Sequence, residues 1–271
     1  MTALSFQPPL FSNFLLASLP EISLQQLRKH LQHTLLQPGQ VLQRVHERIE
    51  RCYFPDSGLI SLAVPAHNGD TVGVGVVGSN SMLGGVGALV DATAVSEATV
   101  QVAGSGHWIV ADVLRQQAED DTAVQKVLLG DMQDSYTQIA RLTLCQSQHT
   151  VAEQTCRWLL RLHFAAGSKS FPLPETFAGQ MVNGSYLERL ETMDALVRAG
   201  FISYEDGCVT IRDMQGLEGS VCNCHQTSME LQRCHYKLKS RYEQQRAQFL
   251  RMQQNWQNRS WKDRYGDQNR N

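Results

Sequence analysis

The chain has 271 residues, 42% of them hydrophobic and 18% charged, which is enough for a sizeable core and two domains. Its net charge of −2 hides an asymmetry: from Lys237 to Asn271, nine Lys/Arg face Glu243, Asp263 and Asp267, giving +6 and leaving −8 on the other 236 residues. Only the tail therefore has the electrostatics of an anion binder. The first basic residue is Arg28, so the start lacks the charged region of a secretion signal. Apolar runs such as Leu59 to Val64 fall short of the ~20 residues a membrane-spanning helix needs, and no membrane partner is expected. Seven cysteines without even spacing read as free thiols in a reducing cytoplasm.

Residues 10 to 36 carry Leu15, Leu16, Leu19, Leu24, Leu27, Leu31 and Leu35 at helical intervals, with Pro20 as a break. From Gly39 to Val110 the pattern changes to short β-rich runs at 40–42, 52–54, 59–64, 71–77, 98–102 and 107–110. Turn signals separate them, at Pro55 to Gly58, His67 to Asp70, Gly78 to Asn80 and Gly104 to Gly106. Strands at this spacing predict a β-roll, barrel or sandwich. The literal G-x-G-x-x-G from Gly73 to Gly78 is followed by more loop and not by a helix, so it reads as glycines at bends and not as a dinucleotide site.

After Ala111 the helical period returns. Val124, Leu128, Met132, Tyr136, Ile139, Leu142 and Cys145 recur at steps of three and four, the narrow stripe of a helix that packs against another helix. Either the helix packs on its own domain or it pairs across a dimer; the dimer reading takes Leu128, Met132, Tyr136, Ile139 and Leu142 as the interface. Next come a helix from Thr150 to Ala165, a Pro-bounded break from Phe171 to Pro174, and a helix from Glu175 to Met181. A turn through Ser185, a helix from Tyr186 to Gly200, and a hairpin turning at Glu205-Asp-Gly207 complete the series. Helix, turn, helix and wing is a DNA-reading shape, because the second helix fits a major groove. From Gln226 a further helix is predicted, with Leu231, Cys234, Leu238, Tyr242, Phe249, Met252 and Trp256 near a heptad stripe.

The order of these blocks resembles the Crp/Fnr family of bacterial transcription regulators. The resemblance rests on Leu15 to Pro20, Leu36 to Leu42, Tyr53 to Ser61, Gly69 to Val72 leading to Val77-Gly78, Ala98 to Val102, Ala195 to Ile202 and Val209 to Ile211. It spans about residues 10 to 225 and implies an α+β fold. An N-terminal antiparallel β-roll with flanking helices (1–122) would precede a long dimerisation helix (123–148). A winged helix-turn-helix (149–225) and a basic, Gln-rich helical tail (226–271) would follow.

The resemblance further implies a homodimer on double-stranded DNA, with RNA polymerase as a possible partner, no cofactor and no enzymatic activity. DNA contacts would fall to Gln180, Ser185, Tyr186 and Arg189. Tyr186, Leu187 and Glu191, with Glu188 alongside, stand where the family usually has Arg, Glu or Ser, and the wing is acidic where a phosphate contact is expected, which leaves open an alternative role as a protein-interaction module. The effector pocket would involve Met82, Leu83, Gly84, Gly85 and Thr99. No Arg lies between Arg51 and Arg115, so the usual cation for a cyclic phosphate is missing and cyclic-nucleotide binding is not expected. Cys222, Cys224, Cys234 and His235 form a candidate metal or redox set, weighed against small buried thiols. Cys145 and Cys156 read as core, and no Cys precedes Cys52, which removes the N-terminal ligands of an iron–sulfur cluster.

Overall fold

A computed structural model describes residues 12–67, 70–228 and 230. The chain divides into a compact unit through His225 and a second from Gln226 onward. The apolar positions of the predicted tail helix, Leu231 to Trp256, lie outside the described residues.

The first unit opens with α1 (Phe14–Ala17) and α2 (Glu21–Arg28). Asn13 is fully buried and caps α1, its side-chain oxygen accepting from the Leu15 and Leu16 amides. Its side-chain NH2 donates to the carbonyls of Pro55 and Ser81, at 2.8 and 2.9 Å. A buried amide with its bonds filled pins the helix onto two loops at little desolvation cost. The predicted helical run stops at Arg28. Gln32–Leu36 is strand β1, paired antiparallel with a later strand so that Gln32 opposes Trp108. Leu31 and Leu35 keep helical spacing, but tertiary pairing overrides that local pattern.

Six more strands follow: β2 (Val41–Gln43), β3 (Arg51–Pro55), β4 (Leu59–Pro65), β5 (Thr71–Val77), β6 (Glu97–Val102) and β7 (Gly104–Val110). They form two antiparallel sheets, ordered β1-β7-β3 and β2-β6-β4-β5. The turn expected at Gly104 to Gly106 is instead the start of β7. A Cβ on Gly104 would lie 2.3 Å from the Ser57 carbonyl oxygen, and one on Gly106 would lie 2.5 Å from that of Phe54. These glycines mark close backbone approach, not a chain reversal.

Helices α3 (Ala111–Asp120) and α4 (Thr122–Gln148) come next, α4 running 27 residues. Then α5 (Val151–Ala166) starts with a capping box between Thr150 and Glu153 and ends at left-handed Gly167. The remaining elements are β8 (Ser170–Pro172), α6 (Glu175–Met181), α7 (Tyr186–Arg198), β9 (Ile202–Glu205), β10 (Cys208–Ile211) and α8 (Met214–Gly219). The supposed break at 171–174 supplies β8, a third strand beside the hairpin in the order β8-β10-β9. Its buried Phe171 lies opposite Val209, and α8 has no counterpart in the sequence reading.

One hydrophobic core joins the roll to the winged helix. Leu59 and Val76 of the roll share it with Trp158, Leu159, Phe177, Met181, Leu196 and Val209. The glycine motif lies at this joint, and the pairing of β5 with β4 shifts register between Gly75 and Gly73, an irregularity of the kind that bends a strand. A Cβ on Gly73 would lie 2.1 Å from the Met181 sulfur, and one on Gly78 would lie 2.1 Å from the Ala165 carbonyl oxygen. Missing side chains therefore let α5 and α6 sit directly on β5. Gly78→Val should destabilise the protein by ~1–3 kcal/mol, because backbone and not a flexible side chain stands in the way. Urea unfolding checks this; Gly219→Ala, which meets nothing within 4 Å, should leave the midpoint nearly unchanged.

Candidate nucleic-acid interface and effector loop

Helices α6 and α7 meet at a turn through Asn183 and Gly184. Ser185 caps α7: its hydroxyl accepts from the Glu188 amide, while the Glu188 carboxylate accepts from the Ser185 amide and hydroxyl at 2.7 and 2.8 Å. Those bonds hold the Glu188 carboxyl below its usual range. Arg189 donates to the Gly184 carbonyl at 2.6 Å, folding back along the turn. Gln180 donates to the Thr71 hydroxyl of β5 at 2.7 Å. Among the four residues expected to contact DNA, Gln180 thus serves the joint with the roll, and Ser185 serves the helix start.

Tyr186 has an open side chain, 53% exposed, and Ser185 is exposed as well, while Gln180 and Arg189 are half-buried. Its neighbours Leu187, 66% exposed, and Leu190 also face outward. Within α7, Leu196 is buried and Met193 packs partly against the core. The outward face therefore carries phenol, leucine and acid, the acids being Glu188, Glu191 and Asp194, with the exposed Arg198 3.6 Å from Asp194.

The long helix places its stripe in two environments. Leu128 is 2% exposed within the roll's own core, beside Ile109 and Leu114, so it is unavailable to a partner chain and is withdrawn from the interface. Tyr136, 69% exposed, and Ile139 lie outside, with Met132 and Leu142 half-buried. Leu129, passed over in the sequence stripe, is exposed and extends the outer row 129, 132, 136, 139 at steps of three and four.

In the candidate effector loop, Met82 and Leu83 are buried, and Leu83 bridges to Tyr53. Gly84 has φ +85°, and a Cβ there would lie 2.8 Å from the Arg51 carbonyl oxygen. Gly85 packs near Met82, and Thr99 pairs with Val41 and Ser61 on β6. Two groups that sequence order did not reveal reach this loop. Arg115 donates to the Gly87 carbonyl at 2.6 Å and pairs with Asp112 at 2.8 Å. From α4, Asp131 accepts from the Ser81 hydroxyl at 2.7 Å, and the Met82 backbone also hydrogen-bonds it. Burial is the main cause that pushes the Asp131 carboxyl up to about 7; Asp134 adds to the rise, while the Ser81 bond and Arg161 oppose it.

Cys222 and Cys224 are buried, whereas Cys234 and His235 lie outside the described residues. Cys145, read from sequence as core, and His149 stand beside the first pair. Burial pushes the Cys145 thiol up to about 12 and the Cys224 thiol upward, with Arg157 pulling the other way on both. Cys156 lies in the main core, and burial pushes it up to about 11.

A β-roll, a long connecting helix and a three-stranded winged helix-turn-helix define the fold of the Crp/Fnr regulators. No family model matches the sequence, and no curated protein is similar to it in sequence. Solved structures are similar in fold. FixK2 from Bradyrhizobium japonicum aligns with TM-score 0.62 and 14% identity over 71% of this chain and 98% of its own. CLP from Xanthomonas campestris, a c-di-GMP responsive global regulator, gives 0.59 and 13% over 71% and 99%. A CRP-family transcriptional regulator from Thermus thermophilus gives 0.56 and 15% over 69% and 95%. Among the described residues, no helix is long and apolar enough to cross a membrane.

Asp131 generates a pH prediction. Its folded pKa of about 7 lies above the ordinary 3.8, so the folded state holds the proton more tightly. The stability it contributes is full below pH ~4 and is lost as pH rises through about 7. Between pH 5 and 8 the loss should amount to roughly 2 kcal/mol. Asp131→Asn should flatten that decline and be more stable than wild type at pH 8, as read by denaturant unfolding at each pH.

Proposed function

We propose that the chain is a homodimeric, DNA-binding regulator of transcription, with a signal-receiving β-roll and no enzymatic activity. The carrying observation is a winged helix-turn-helix joined through a long helix to a β-roll, the fold of solved regulators. The outer row Leu129, Met132, Tyr136 and Ile139 supports pairing of α4 with its copy across a two-fold axis. Two-fold symmetry would place two α7 helices about one turn of DNA apart. Domain bounds at 1–122, 123–148 and 149–225 suit this division of labour.

On α7, Tyr186 leads the base-reading surface, with Arg189 and Ser185 holding the helix start in shape. The +6 tail supplies the phosphate attraction that the acidic wing does not. Cyclic nucleotide is not the signal in this reading. Arg115 reaches the loop but is engaged by the Gly87 carbonyl and Asp112, and the second group there is the Asp131 carboxyl. Contacts with RNA polymerase belong to the same proposal.

A second reading has one observation in its favour: the leucines and acids on the open face of α7 suit a protein partner better than a phosphate backbone. Selection of bound duplexes from a random DNA pool across a salt series separates the two. The regulator reading expects an enriched palindrome, weakened steeply by salt and lost in Tyr186→Ala. Absence of binding even at low salt would transfer the case to the interaction module. Tyr136→Asp should convert the dimer to monomer in sedimentation; a variant that stays dimeric would remove α4 as the pairing surface.

A further inference from the structure

The ligand atoms of Cys145, His149, Cys222 and Cys224 all lie within 4.8 Å of one another. Cys145 lies one turn before His149, which terminates α4, so both side chains leave the same side of the helix end. Cys222 arrives from 77 residues along the chain, after α8. The Cys145 and Cys222 sulfurs are 3.6 Å apart, and the Cys224 sulfur is 3.7 Å from His149 Nδ1. A tetrahedral zinc ion, with bonds of ~2.3 Å to sulfur and ~2.0 Å to nitrogen, sets ligand-to-ligand edges of about 3.5–3.8 Å. Both edges agree with that geometry, and the other ligand pairs lie within 4.8 Å.

Packing points the same way. Cysteines acting as small hydrophobes join a core, as Cys156 does. Cys145, Cys222 and Cys224 instead form a cluster of their own, with Val221 the hydrophobic packed against it. Arg157, 9% exposed, is electrostatically close to Cys145 and Cys224. Three thiolates and a neutral imidazole around a dication leave one negative charge, which a buried guanidinium offsets.

We propose that Cys145, His149, Cys222 and Cys224 form a closed Cys3His site for a zinc ion. Four protein ligands leave no open position, so the ion is structural and not catalytic. It fastens the end of α4 to the segment after the winged helix. Gln154, itself buried, extends the clamp: it donates to the His149 carbonyl at 2.9 Å and accepts the Asn183 amide at 3.0 Å. The ion thereby braces the turn that precedes α7. The site keeps Cys222 and Cys224 of the set expected from sequence and takes Cys145 and His149 in place of Cys234 and His235. It stands whether or not α7 reads DNA.

Metal analysis of the full chain, grown with zinc and purified under reducing conditions, tests the site. The expected content is about one zinc per chain. Cys145→Ser and Cys224→Ser should each cut retention by about tenfold or more, while Cys208→Ser, on the wing, should retain it. Should the serine variants fail to fold, cobalt exchange into the native chain should give the bands of a tetrahedral, thiolate-bound ion. Several results would overturn the proposal: a chain that takes up neither ion, zinc unaffected by Cys224→Ser, zinc lost with Cys234→Ser but kept in Cys145→Ser, or a coloured iron–sulfur cluster in place of zinc.

Discussion

The fold depends on one close approach: helices α5 and α6 resting on the bare backbone of β5. Gly73 and Gly78 carry no side chain where Met181 and the Ala165 carbonyl come nearest. Because these elements touch at backbone distance, Leu59 and Val76 of the roll join Trp158 and Phe177 in a single core. The winged helix is thus not tethered to the roll by a linker alone. It shares buried apolar area with the roll, the dominant favourable term in folding. Gln180 adds a polar contact across the same joint.

This joint gives the proposed regulator a physical route from signal to DNA. Packed interfaces are bistable and do not deform continuously, so under that proposal a change in the roll would pass to α6 and then to the turn before α7. A second contact runs along α4, where Asp131 accepts from Ser81 of the candidate effector loop. The same helix presents Tyr136 and Ile139 outward and ends at Cys145 and His149. The roll contact, the exposed row proposed for pairing and the Cys145–His149 end therefore lie on one helix.

The sequence made much of this legible where local patterns agree with tertiary need. Alternation and turn residues located six of the seven roll strands, and the capping boxes at Thr150 and Ser185 mark two helix starts in plain residue types. Misplaced pieces were those whose state is set by distant partners. Leu31 and Leu35 keep helical spacing, yet β1 forms because β7 offers it an edge. Gly104 and Gly106 look like a turn but mark close backbone approach. At the candidate site, the order of elements was readable, but Gln180 and Leu128 changed role because Thr71 and the roll core lie far off in sequence. Cys145 and His149 carried an i, i+4 signal that the apolar stripe of α4 concealed.

Native-state hydrogen exchange measures the central claim, that roll and winged helix are one cooperative body. Backbone amides of β5 and of α6 should open with the same free energy and respond equally to denaturant. A winged helix whose amides exchange far faster than those of β5, with the roll still protected, would contradict it.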